Sequence, residues 1–295
     1  DTVTFSSSTV LAASTFDGGA GSDTLVLDGN FNVNFSAGTI VNVETIEMAA
    51  GHSYTLNLAD GNIAAAHPLT VDGSALASPN GFTLSAAAET DGALDVIGGA
   101  GDDTLLLDDA NTLSQSDFHG GGGDDRLSLN GDFSSGVILG ANYSGIEAIQ
   151  ATGGHDYNFT LMDNLVAAGA TLEIDGGSIS SGHSLNVDGA DETDGIFHMT
   201  GGAGDDSLTG GAQGDLFDLS QGGHDTVSGG GGDDAIISLG TGFDAGDKVD
   251  GGSGFDSVAL LGDYSGGLTL GAATMTNIEE ISFQGAFNYA LTTND

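Results

Sequence analysis

A chain of 295 residues with 43 acidic and 2 basic side chains carries a formal charge of −41, and 52 of its residues are glycine. Arg126 and Lys248 are the only strong cations, so the chain lacks the basic surface that nucleic acid or an anionic membrane requires. It has no cysteine, hence no disulfide, thiolate zinc site or thiol nucleophile, and no apolar run of about 18 residues that could span a bilayer.

From Asp1 the chain reads as short strands of alternating polarity separated by turn residues: Thr24 to Leu27, Tyr54 to Leu58, Leu69 to Val71, Phe82 to Leu84 and Leu94 to Val96. Strand-to-strand intervals of about 10 to 13 residues leave no room for helical crossovers. The layout from Asp1, DTVTFSSSTVLAASTFDGGAGSDTL, returns at Asp103 and again at Asp234, and the aspartate pairs Asp1/Asp23, Asp103/Asp125 and Asp234/Asp256 are each 22 residues apart. VETI at Val43, IEAI at Ile146 and IEEI at Ile278 align, as do GHSY at Gly51 and GHDY at Gly154. ETDGALDV at Glu89 returns 103 residues later as ETDGIFHM at Glu192. Three modules follow: 1–102, 103–233 with an extended glycine block at 201–233, and 234–295, which stops partway through a copy. Asp1 reads as the sixth position of a loop, so the segment is expected to come from a longer modular protein.

The block from Gly201 is the densest part: GGAGDDSLT, GGAQGDLFD, SQGGHDTVS and GGGGDDAII, then GFDAGDKVD and GGSGFDSVA. Each nonapeptide crowds glycine into its first four places, sets aspartate at the sixth and usually an aliphatic residue at the eighth. Glycine lets a six-residue turn aim carbonyl oxygens beside one carboxylate, a hard-oxygen set that suits calcium. The three residues after the aspartate then form a short strand with one inward side chain. Asp206, Asp225 and Asp247 are separated by 19 and 22 residues, and the interleaved Asp215, Asp234 and Asp256 repeat both steps. Two parallel columns of turns, with two strands per coil, produce that spacing. The predicted fold is an all-β parallel β-solenoid, a β-roll or β-helix, of roughly 13 coils and on the order of 65 Å.

These loops resemble the nonapeptide repeats of RTX, or haemolysin-type, calcium-binding proteins. The resemblance is carried by the turns at 17–25, 98–106, 119–128 and 201–259. It implies several Ca2+ ions, roughly four to eight, between successive turns of a column. The implied ligands are Gly18, Ala20, Gly21 and Asp23; Gly98, Ala100, Gly101 and Asp103; Gly120, Gly122, Gly123 and Asp125; and Gly201, Ala203, Gly204 and Asp206. In the later turns they are Gly210, Ala212 and Asp215; Gly222, Gly223 and Asp225; Gly229, Gly231, Gly232 and Asp234; Asp247; and Gly251, Ser253, Gly254 and Asp256. Pairing within columns joins Asp1 with Asp23, Asp103 with Asp125, Asp206 with Asp225, Asp225 with Asp247, Asp215 with Asp234, and Asp234 with Asp256. The pair using Asp1 is expected to be weak or empty because the glycines that would precede Asp1 are missing. The pair using Asp247 is expected to be weak because its loop lacks glycine at the second and fourth places.

Carboxylates outside the turns invite a catalytic reading. Glu44, Glu147 and Glu279 occupy one repeated place, and recurrence along a solenoid favours a corner that caps backbone amides over a single active site. His52 and His155 are equivalent, but Phe287 stands in the third copy, which favours packing or a turn role over metal ligation. His119 and His224 adjoin glycine loops; His67, His183 and His198 carry no spacing signal. HExxH and G-x-S-x-G are absent from the sequence, and two cations cannot grip a polyanionic sugar. The expectation is therefore a non-enzymatic, calcium-binding structural or adhesive module of a secreted surface protein. The resemblance implies type I export in an unfolded state and folding on calcium outside the cell. A carrier region of a larger exoenzyme or toxin, or a surface-layer or filament subunit, fits the same residues. Identical subunits or cell-surface glycans are the partners to consider, with no nucleic acid and no membrane insertion.

Overall fold

The computed structural model describes residues 1–65, 67–240 and 242–293. Its strands wind into the expected all-β parallel solenoid, of about 13 turns and with almost no helix. The chain divides into two compact units, Asp1–Asp132 with Ala141–Ile149, and Phe133–Gly140 with Gln150–Asp295. Asn294 and Asp295, where the third repeat copy was expected to stop, lie outside the described residues.

In the first unit one sheet carries Thr2–Phe5, Thr24–Leu27, Thr45–Met48, Leu69–Asp72, Leu94–Ile97, Asp117–His119 and Tyr143–Ser144 in that order. The strands Phe31–Asn34, Tyr54–Asn57, Phe82–Ser85, Thr104–Leu107 and Arg126–Leu129 pair with one another in parallel. Period-two alternation turns every second side chain inward. Because each coil stacks in register on the last, inward residues form columns: Leu25, Ile46, Val71, Val96, Phe118 and Tyr143 are successive partners, and all six are fully buried. Each neighbour in such a column removes apolar surface from water on both sides, worth roughly 1.5–3 kcal/mol per fully buried large aliphatic side chain.

In the second unit Ser207, Thr226 and Lys248 are register partners, and so are Leu216, Ala235 and Ser257. These two ladders repeat the 19- and 22-residue steps of the aspartates, so alternate nonapeptides stack in two separate columns. Val187, Leu208, Val227 and Val249 fill one interior row. Met199, Phe217, Ile236 and Val258 fill the other.

Two features were not read from the sequence. Short helices occupy Ser8–Ala12 and Ala110–Gln115, with buried Leu11 and Leu113 as their anchors. The second is capped by Asp109, whose side chain accepts the Thr112 N–H at 2.9 Å, a signature present in the sequence as D-x-x-T. Aromatic residues also anchor the repeat. Tyr54 stacks on Phe31, Tyr157 on Phe133 and Tyr264 on Tyr289, with ring centroids 6.1, 5.5 and 6.0 Å apart. Tyr54, Tyr157 and Tyr289 each donate a hydroxyl to the carbonyl five residues earlier, at Ala49, Thr152 and Gln284. The repeated element of GHSY and GHDY is thus the tyrosine; His52 Nε2 approaches Asp28 at 3.6 Å on the surface. Among the described residues no helix is long and apolar enough to cross a membrane.

Candidate metal centres in the glycine-rich turns

Asp1 is exposed, but the other nine sixth-place aspartates are buried, from 0 to 3% exposed at Asp23, Asp103, Asp125, Asp206, Asp215, Asp225, Asp234, Asp247 and Asp256. Nine carboxylates at that depth demand partners. One oxygen of each has a defined one. Asp125 Oδ1 accepts the Asp103 N–H at 2.7 Å, and Asp225 and Asp247 accept from Asp206 and Asp225 at 3.0 and 2.8 Å. In the other column Asp234 and Asp256 accept from Asp215 and Asp234 at 2.7 and 2.8 Å. Each aspartate thus holds the backbone of its predecessor one coil back. Asp23 Oδ1 meets the amino group of Asp1. Where a ladder begins, a strand residue takes that place: Phe82 donates to Asp103, Leu185 to Asp206 and Phe197 to Asp215.

The second oxygen divides the set. In the first turn of a ladder it is satisfied within its own loop: Gly99 donates to Asp103 Oδ2, Gly202 to Asp206 and Gly211 to Asp215, at 2.6–2.8 Å. Asp247 Oδ2 takes the Asp244 N–H at 2.6 Å. At Asp23, Asp125, Asp225, Asp234 and Asp256, Oδ2 is buried and has no hydrogen-bond partner. Those five are the later members of five of the six pairs read from the sequence. The sixth pair, Asp225 with Asp247, is the one whose loop lacks two glycines.

Burial has the expected electrostatic effect. Desolvation pushes the Asp125, Asp225 and Asp234 carboxyls up to about 7 and Asp206 to about 6, from an ordinary 3.8; charges on neighbouring carboxylates push Asp125, Asp225 and Asp234 the same way. Asp103, Asp215 and Asp247 are raised by desolvation as well.

The glycines leave room beside those oxygens. A Cβ on Gly120 would lie 2.5 Å from Asp125 Oδ2, and one on Gly251 2.6 Å from Asp256 Oδ2; at Gly229 it would overlap Asp234 Oδ2. Gly18, Gly98, Gly201 and Gly210 abut their own aspartates in the same way. The third-place residues stack by backbone: Gly122 donates to the Gly99 carbonyl, Gly231 to Gly211 and Ser253 to Gly230, each at 3.0 Å, while Ala100, Ala203 and Ala212 donate to Leu76, Ile179 and Glu192. At the fourth place, added side chains on Gly101, Gly204, Gly223 and Gly254 would collide with carbonyls of the preceding coil at Asn80, His183, Gly204 and Gly232. Gly123 and Gly232 meet Gly101 and Gln213–Gly214 in the same manner. Gly222 has a φ of 82° with open space around it. Before Asp23, Ala20 and Gly21 are exposed on their loop. A buried, unpartnered carboxylate oxygen beside a residue with no Cβ suits a hard cation.

Two further roles emerge from the geometry. Glu44, Glu147 and Glu279 occupy the sixth-place row one coil beyond the last aspartate, and their Oε2 atoms accept the Asp23, Asp125 and Asp256 N–H at 2.8, 2.7 and 2.9 Å. They cap the ladders. The residue two before each glutamate, Asn42, Gly145 or Asn277, has a φ of 51°, 59° or 52° and turns the corner. The fifth-place aspartates form an outer ladder that sequence reasoning passed over, although GDD recurs: Asp102 accepts from Asp124, Asp205 from His224 and Asp233 from Phe255. His119 Nδ1 lies 2.7 Å from Ser144 Oγ, and His224 stands 3.7 Å from Asp244.

No known protein family matches the chain, nor does any curated protein or solved structure.

Proposed function

We propose that this chain is a calcium-binding structural or adhesive module of RTX type, exported and folded outside the cell when calcium fills its turns. The observation that supports it most is the set of five buried, unpartnered Oδ2 atoms, at Asp23, Asp125, Asp225, Asp234 and Asp256. An unpaired buried carboxylate oxygen costs several kcal/mol unless a proton or a cation meets it. In this reading a calcium ion meets each one, with carbonyls of the adjoining turns completing its shell. A site held at a hundredfold excess over its Kd adds about 2.7 kcal/mol to the folded state, so five such sites decide whether a chain of charge −41 folds. The chain's part is then mechanical and architectural, with no reaction assigned to it.

Circular dichroism of the full chain tests this. Calcium-free protein at pH 8 should show coil, and millimolar calcium should convert it to β structure with a cooperative thermal transition. A chain equally folded in both conditions overturns the proposal.

A further inference from the structure

Outside the glycine turns, three carboxylates converge twice. Asp60 opens the short turn Asp60–Asn62 that follows the strand Tyr54–Asn57, while Glu89 and Asp91 belong to the corner between Phe82–Ser85 and Leu94–Ile97. One oxygen from each of Asp60, Glu89 and Asp91 lies within 4.8 Å of the other two. In the second unit Asp163, Glu192 and Asp194, each 103 residues further on, converge within the same limit.

The glutamate distinguishes these corners from ordinary exposed acidic patches. Glu89 and Glu192 are fully buried, whereas the four aspartates are exposed. Glu89 Oε1 accepts the backbone N–H groups of Thr90, Asp91 and Gly92 at 3.1, 3.1 and 2.7 Å. Glu192 Oε1 accepts from Asp194 and Gly195 at 3.1 and 2.8 Å. One oxygen therefore folds the corner, and the other, Oε2, is buried with no hydrogen-bond partner in both copies. The aspartate from the neighbouring coil is also fixed. Thr90 Oγ1 donates to Asp60 Oδ1 at 2.8 Å, and the Thr193 N–H and hydroxyl donate to Asp163 Oδ1. A corner cap alone needs one glutamate oxygen. It does not need a second oxygen buried bare, nor two more carboxylates drawn to it against like-charge repulsion.

We infer that each of these corners is a calcium site of a second kind, in which a buried glutamate and two exposed aspartates clamp one ion between adjacent coils. The donors are all carboxylate oxygens, without imidazole or thiolate, which points to a hard cation and away from zinc. Two oxygens on opposite sides of one calcium ion are about 4.8 Å apart, and the open aspartate side leaves room for water to complete the six to eight ligands calcium takes. The inference does not rest on the glycine-turn reading, since it uses other residues.

Native mass spectrometry of the full chain in saturating calcium counts the ions. Glu89→Gln and Glu192→Gln should each remove one ion and the pair together two; Asp60→Asn with Asp163→Asn should do the same. An Asp234→Asn chain serves as the contrast, losing turn ions while the corner variants still subtract their two. Unchanged ion counts in the corner variants overturn the inference whatever Asp234→Asn does, and so does a wild-type chain that takes up no calcium, or one that fills the corners with magnesium in preference. Should the buried glutamine pair prevent folding by circular dichroism, the exposed asparagine pair decides alone.

Discussion

At the scale of single residues, the two oxygens of one aspartate do different work. Oδ1 ties successive coils through a backbone N–H, and Oδ2 either closes its own turn or stands bare. Asp234 has a bare Oδ2 and donates its N–H to Asp256, whereas the Asp247 Oδ2 is held by Asp244. Asp234→Asn should therefore release more calcium than Asp247→Asn, as counted by native mass spectrometry; equal loss would mean that the bare oxygen is not what binds. Glycine is equally specific. Gly230 has a φ of 95°, and a methyl there would overlap the Gly211 carbonyl, while Gly266 has open space and an ordinary φ. Gly230→Ala should cost about 1–3 kcal/mol in calcium-saturated unfolding and Gly266→Ala no more than about 0.5 kcal/mol. Comparable costs at both positions would refute the close-packing argument.

At the scale of the ladder, titration has a definite sign. The Asp125, Asp225 and Asp234 carboxyls sit at about 7 and Asp206 at about 6, above their ordinary value, chiefly through desolvation. Groups raised in the folded state bind protons more tightly there, so their contribution to stability is complete below about pH 3.8 and is lost as pH climbs through 6 to 7. Calcium-free protein should accordingly gain folded structure and a melting transition at pH 4.5 that the coil at pH 8 lacks. With calcium bound the dependence reverses in the same window, because protons compete for the ligands. Melting curves of metal-stripped protein from pH 4 to 8 check the first statement; a midpoint that rises with pH would contradict it. The caps belong to this scale too. Glu147→Ala leaves the Asp125 N–H without its acceptor, a loss of about 1–3 kcal/mol, whereas Glu147→Gln keeps an acceptor and should cost less.

For the whole molecule, charge is the governing term. Forty-three acidic residues against two basic ones give −41, and monovalent salt screens that repulsion over a Debye length of about 8 Å at physiological strength without entering a turn. Small-angle scattering should show calcium-free chain at pH 8 contracting modestly in 0.5 M sodium chloride and fully only with millimolar calcium. Full compaction by sodium alone would make the acidity a matter of general screening and remove the need for specific sites.

The sequence by itself determined the solenoid, its two columns and the row of sixth-place aspartates. Stacking in register makes local spacing a direct image of three-dimensional contact, so steps of 19 and 22 residues already name the neighbours. It also carried the capping role of Glu44, Glu147 and Glu279, since a position repeated along a solenoid must do a repeated job. The short helices at Ser8–Ala12 and Ala110–Gln115 escaped because five and six residues are too few to show a 3.6 period against flanking strands. Only the tertiary structure decided which carboxylate oxygens are bare. Asp206 and Asp225 look alike in sequence, yet one has its Oδ2 closed by Gly202 and the other has nothing. The difference lies in what occupies the coil before, a strand at Leu185 or another glycine turn. The corners at Glu89 and Glu192 were legible as repeats but not as sites. Asp60 and Asp163 come from the neighbouring coil, about thirty residues away in the chain, and folding alone brings the three carboxylates together.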